Sequence, residues 1–96
     1  MLSIPGEASL HYDLASMYAQ GRGVPQDAAE ALLWYRKAAD KDYALAQYAL
    51  ARMYSAGDGV PKDAAEALSW YRKAADQGYD RAQYALAQGF MKAGLL

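Results

Sequence analysis

The segment Trp34-Tyr35-Arg36-Lys37-Ala38-Ala39-Asp40 returns 36 residues later as Trp70-Tyr71-Arg72-Lys73-Ala74-Ala75-Asp76. The same shift lays Gly21-Arg22-Gly23-Val24-Pro25 over Gly57-Asp58-Gly59-Val60-Pro61, and residues 8–43 align with 44–79 without gaps, identical at 24 of 36 positions. A partial third copy starts near Asp80, where Ala82-Gln83-Tyr84-Ala85-Leu86-Ala87 repeats Ala46-Gln47-Tyr48-Ala49-Leu50-Ala51, and it diverges from Gly89 onward. A fixed period of this length marks stacked supersecondary units. No single unit can bury its own apolar face, so the chain must fold as an array whose members cover one another.

Each unit reads as two helices. The first spans about Ala44 to Ala56 and stops at Gly57, a residue that closes helices in the left-handed conformation. After Val60-Pro61-Lys62, Asp63 is placed to cap the second helix. Glu66 three residues later resembles a capping box, repeated as Asp27 and Glu30. The second helix runs to about Asp76. At 100° per residue it gathers Ala64, Ala67, Leu68, Trp70, Tyr71, Ala74 and Ala75 on one arc and Ala65, Glu66, Ser69, Arg72 and Lys73 on the other. On the first helix Ala46, Leu50, Met53 and Tyr54 form the core arc, with Tyr48, Arg52 and Ser55 pointing away. The expectation is an all-α fold, a right-handed α/α superhelical solenoid of helical hairpins. About five helices make up two and a half repeats in one domain over 1–96, with repeats at 8–43 and 44–79 and a half repeat at 80–96. Twenty-two alanines suit thin, closely packed helical layers.

Ten Lys and Arg against eleven Asp and Glu leave a formal charge of −1 with no basic stripe, which argues against a nucleic-acid partner. No cysteine is present, so disulfides and thiolate metal sites are excluded. The opening residues Met1 to Glu7 lack the basic start and apolar core of a signal peptide. No run approaches the ~18 apolar residues of a membrane span. The chain reads as soluble and by default cytoplasmic, with export of a longer parent left open.

The pattern Leu-Ala-x-x-Tyr-x-x-Gly-x-Gly-Val-Pro-x-Asp, followed by Ala-x-x-Trp-Tyr-x-Lys-Ala-Ala-Asp, resembles the Sel-one-like repeat, a relative of the tetratricopeptide repeat. The resemblance covers about residues 8–88. It implies a superhelical adaptor that assembles protein complexes, as many bacterial, signalling-related members do. Ala15, Ala51 and Ala87 stand where the family usually has glycine, and Gly89 and Ala93 replace the counterparts of Met53 and Gly57. Some disulfide-linked relatives are associated with weak β-lactamase activity, but no serine here has lysine three residues on, and Ser69 is followed by Arg72. No catalytic, metal or cofactor residues are assigned.

The remaining candidates divide into scaffold and surface. Gly21, Gly23, Gly57 and Gly59 read as turn residues rather than a phosphate cradle, because a helix precedes them and Val-Pro follows. With them, Asp27 and Asp63 as caps and Trp34 and Trp70 as inter-helix packing form the structural set. Arg36 and Arg72 lie four residues before Asp40 and Asp76 and suggest same-helix ion pairs. His11, aligned with Gln47 and Gln83, reads as a polar helix-edge position. Variation between copies marks the other set: Ser16, Arg52 and Gln88 share one position, beside the constant Tyr12, Tyr48 and Tyr84. These six are expected on the concave face as contacts for a protein or peptide partner. A spacer without a ligand of its own is the alternative. At the C-terminus Leu86 and Phe90 are expected to lie uncovered, with Gly89, Ala93 and Gly94 weakening the last helix. Leu95 and Leu96 could fold back, or the chain could self-associate through residues 82–96.

Overall fold

A computed structural model describes residues 6–92 and Gly94, and among these it contains five helices and no strand. They are α1 (Glu7–Gln20), α2 (Ala28–Ala39), α3 (Ala44–Ala56), α4 (Ala64–Asp76) and α5 (Asp80–Lys92). Each helix packs mainly on its neighbours in the chain, with the hairpins α1/α2 and α3/α4 in more extensive contact than successive hairpins are. The stack measures 41 × 30 × 20 Å.

Local chemistry explains the helix ends. Gly57 is left-handed (φ 72°), and its N–H and that of Asp58 both donate to the Met53 carbonyl, so these amides face the helix end and not an external anion. Gly21, Gly23 and Gly59 are left-handed as well. At Gly59 space matters too, since a Cβ there would sit 2.8 Å from the Ala28 backbone of the preceding repeat. Asp63 then caps α4 by accepting from the Glu66 N–H at 3.0 Å, and Asp27 caps α2 from Glu30 at 3.1 Å. Only half of the expected capping box forms. The Asp63 N–H already donates to the Tyr54 carbonyl, so Glu66 turns to accept from the Trp70 indole at 3.1 Å, as Glu30 does from Trp34 at 3.2 Å.

The core is a thin seam of small residues closed by large ones. Ala15, Ala31, Ala38, Ala46, Ala51, Ala67 and Ala74 are buried around Leu50, Met53, Tyr35, Trp70 and Tyr71. Ala15 and Ala51 occupy the family's glycine position without leaving it exposed. Trp70 is buried, whereas Trp34 is half-buried.

Three expectations are corrected. Arg36 does not pair with Asp40. Its guanidinium reaches forward to Glu66 of the next repeat at 3.6 Å and lies 5.3 Å from the Trp70 ring centre, while Lys73 covers the same ring at 4.3 Å. Arg72 likewise swings forward over Phe90, at 5.9 Å. In a stack, the helix edge abuts the next unit, and a long side chain finds partners there that its own helix does not offer. Gln47 is not an edge residue but 1% exposed. Its amide donates to the Ala39 carbonyl at 3.2 Å and its oxygen accepts from Gln77 at 2.9 Å, tying α2, α3 and the end of α4 together. Finally, α5 keeps the full 13 residues of α3. Gly89 sits within this helix against Leu68, whose Cδ2 would have to shift to admit a Cβ there. Leu86 and Phe90 are half-buried and not uncovered, whereas Tyr84 and Met91 are exposed. Leu95 and Leu96 lie outside the described residues.

One loop residue is strained. Asp42 has φ 63° at the position that Gly78 fills with φ 86° in the next repeat. The left-handed region is unfavourable for a residue with a Cβ, and aspartate tolerates it better than most.

Candidate interaction surface

The six variable-face residues sit on the first helices of successive repeats, but they do not share one environment. Tyr12 and Tyr48 are half-buried wedges. The Tyr12 ring lies 5.6 Å from Tyr35 and 5.5 Å from Tyr43, and Tyr48 lies 5.7 Å from Tyr71 and 5.2 Å, edge-on, from Tyr79. Each tyrosine thus meets an aromatic on its own hairpin partner and another in the last residue of its own repeat, just before the next helix begins. The expectation that Tyr48 faces away from its hairpin is corrected accordingly. A bulky side chain on a helix of this stack spreads into the gap between helices wherever aromatic partners line that gap. Tyr84 has no such pair among the described residues and is 67% exposed.

The second position shows the same gradient. Ser16 is half-buried, with its hydroxyl 3.2 Å from the Tyr35 hydroxyl. Arg52 is exposed, its guanidinium 5.9 Å from the Tyr48 ring centre. Gln88 is exposed and donates to the Tyr84 hydroxyl at 3.0 Å, one turn away on α5. Burial raises the Tyr71 phenol pKa above its ordinary value, Tyr48 adds to the rise, and Arg52 opposes it. Burial also raises that of Tyr12, with Tyr35 contributing.

Four of the six come together. Tyr48, Arg52, Tyr84 and Gln88, with Tyr71 and Arg81, line an open groove of about 460 Å³ across α3, α4 and α5. Tyr12 and Ser16 hold the equivalent positions one repeat earlier and are not among the residues that line this groove. The sequence reading missed Arg81. Its signal was available: a cation in the first turn of a helix stands against the helix dipole, and the counterparts Ser9 and Leu45 are uncharged. It also missed Gln47, for which the signal was recurrence as Gln83.

The four glycines form turns, Asp27 and Asp63 cap helices, and Trp34 and Trp70 pack between helices. Among the described residues no group of His, Cys, Asp or Glu is arranged to hold a metal ion, and no helix is long and apolar enough to cross a membrane.

A family model for the Sel1 repeat matches residues 8–43 and 44–79. Among solved structures the chain is similar to c5321, a protective antigen present in uropathogenic Escherichia coli strains that displays an SLR fold. That match has 42% identity and a TM-score of 0.90, and covers 92% of this chain and 19% of that one. It is also similar to a Sel1 repeat protein from Oxalobacter formigenes, with 42% identity and a TM-score of 0.84, covering 86% of this chain and 62% of that one. The chain therefore spans less than two thirds of either relative's length. No curated protein matches it. The repeat match, the 36-residue period and the likeness to SLR-fold solenoids agree: the chain is a right-handed α/α solenoid and belongs to the Sel1 repeat family.

Proposed function

We propose that this chain is a protein-interaction module, acting as one domain, that receives a partner protein or peptide in the groove between α3 and α5. Sel1 repeats generally serve as protein-interaction scaffolds and are typically non-catalytic. The observation that carries the finer reading is Tyr84. The same residue is half-buried in the stack at positions 12 and 48, and here it presents most of its ring to solvent beside Arg52 and Gln88. Tyrosine and arginine are enriched at interfaces because they combine large contact area with directed hydrogen bonding. We read this face, continued by Tyr12 and Ser16, as the concave surface of the array.

The test uses a partner recovered by cross-linking to the intact chain and then measured as a purified pair. Arg52→Ala and Tyr84→Ala should weaken binding by roughly tenfold or more each, as central contacts do, with melting midpoints nearly unchanged. Ser69→Ala and Lys73→Ala, on the opposite arc, should leave affinity intact. Binding that follows Ser69 and Lys73 instead would place the interface on the wrong face. A spacer without its own ligand predicts no partner at all.

A second reading has its own observation. On α5, Gln83, Tyr84 and Ala87 are exposed, whereas Gln47 and Ala51 are buried on α3 and Tyr48 is half-buried. A face of this kind can pair with a second copy, so we also propose self-association through the C-terminal half repeat. Sedimentation over a roughly hundredfold concentration range decides it, because oligomerisation follows mass action. A constant monomer mass excludes it.

A further inference from the structure

We infer that the partner segment in the α3–α5 groove is an acidic peptide, its carboxylate held between Arg52 and Arg81 while a neighbouring apolar side chain packs on Tyr84. This rests on the groove reading above and adds the chemistry of the occupant.

The argument is one of charge. Arg36, elsewhere on the stack, has a carboxylate within ion-pair distance. Neither Arg52 nor Arg81 has one among the described residues. The groove's single carboxylate, Asp80, stands at the head of α5, where the dipole of that helix already favours a negative charge. Arg81 follows it in the same turn, where the dipole disfavours a cation. An external anion would offset that cost.

Comparison along the face sharpens the point. The position of Arg81 is Ser9 and Leu45 in the other copies, that of Arg52 is Ser16 and Gln88, and that of Ala85 is Asp13 and Ala49. Asp80 stands where the other copies have Ala8 and Ala44, so two arginines against one aspartate leave the groove beside Tyr84 net positive, whereas the matching positions of the N-terminal copy, Ala8, Ser9, Asp13 and Ser16, are net negative. The groove is open and about 460 Å³, room for a few side chains of an extended segment and not for a folded domain. Two cations beside one exposed ring, on a chain of net charge −1, suit a carboxylate-bearing peptide better than the many regularly spaced phosphates of a nucleic acid.

The intact chain is titrated with fluorescent peptide pools, random except for one fixed central residue: Glu, Gln or Lys. At low salt the Glu pool should bind about tenfold tighter than the Gln pool, as charge complementarity across an interface allows. That preference should vanish in Arg52→Gln and Arg81→Gln, both exposed positions whose unchanged melts verify folding, and shrink at high salt. Equal affinity of the Glu and Gln pools, a winning Lys pool, or a Glu preference that survives both substitutions overturns the proposal. If both pools bind equally and Tyr84→Ala abolishes both, the groove stands and the acidic chemistry falls. If no pool binds, or binding ignores Tyr84, groove and chemistry fall together. A single-stranded oligonucleotide that outcompetes the Glu pool through the same arginines overturns the peptide class.

Discussion

Helices α3 and α5 carry the same pattern 36 residues apart, and the structure gives it opposite fates. On α3, Gln47 and Ala51 are sealed and Tyr48 is wedged against two aromatic rings; on α5, Gln83 and Ala87 are exposed and Tyr84 stands in solvent. Positions facing α4 stay covered on both helices, as Ala46 and Ala82 show. The difference lies in the neighbours. α3 is packed between α2 and α4, whereas the main packing contact of α5 is with α4 alone. Burial at a repeat position thus belongs to the stack rather than to the residue, and the same tyrosine can be wedged in one copy and exposed in the next.

Leucine provides the largest contrast. Leu50 is fully buried and Leu86 half-buried at the equivalent position. Leu50→Ala should cost about 2–5 kcal/mol, as buried leucine truncations do, and Leu86→Ala about 1–2 kcal/mol in proportion to the area it covers. Urea melts measure both, and equal losses would mean that α5 is packed on both sides.

Glutamine comes next. Removing the Gln47 side chain takes one of two donors from the Ala39 carbonyl, which the Asp42 N–H also serves at 3.0 Å, and releases the exposed Gln77 amide to water; two lost hydrogen bonds at about 0.5–1.5 kcal/mol each give a cost of about 1–3 kcal/mol. Gln83 makes the same kind of bond to Ala75 at 3.2 Å, but in solvent, where water replaces it. Gln83→Ala should therefore change stability by about 0.5 kcal/mol or less. If Gln47→Ala is as mild, the three-helix tie does not exist in solution.

A smaller effect concerns alkaline pH. The raised phenol of Tyr71 stays protonated in the folded chain after the unfolded chain has begun to ionise. Its contribution is complete below the unfolded value near 10 and is lost as pH climbs from there through the folded value. Tyr12 acts in the same direction. Ultraviolet titration should show these phenols ionising later than free tyrosine, and Arg52→Ala should delay Tyr71 further by removing the charge that favours phenolate. Ionisation of all nine tyrosines as one population would contradict their burial.

How far the sequence could be read follows from the same physics. Helix ends were legible because Gly57, Asp63 and their counterparts act on backbone groups within a few residues of themselves. The repeat and the small-residue core were legible because they are periodic. Arg36 was misread because its partners, Glu66 and Trp70, lie across a repeat boundary that no helical wheel shows. Gln47 was missed for the same reason, since Ala39 and Gln77 are brought around it only by the stack. Gly89 suggested a failing helix, but a missing Cβ also makes room, here for Leu68. The groove was half legible: variation at positions 52 and 88 pointed to it, whereas Arg81 fell outside the positions compared, and Tyr48 proved to be mostly a wedge.

The central claim is that position 48 holds the stack while position 84 faces a partner, and paired measurements on Tyr48→Ala and Tyr84→Ala test it most directly. Each variant is melted in urea and titrated with the Glu-anchored peptide pool. Tyr48→Ala should lose about 2 kcal/mol or more of stability, as a packed aromatic does. Tyr84→Ala should stay within about 0.5 kcal/mol of the parent and lose roughly tenfold or more in affinity. A Tyr84→Ala chain that unfolds as readily as Tyr48→Ala, or that binds as tightly as the parent, would contradict the account.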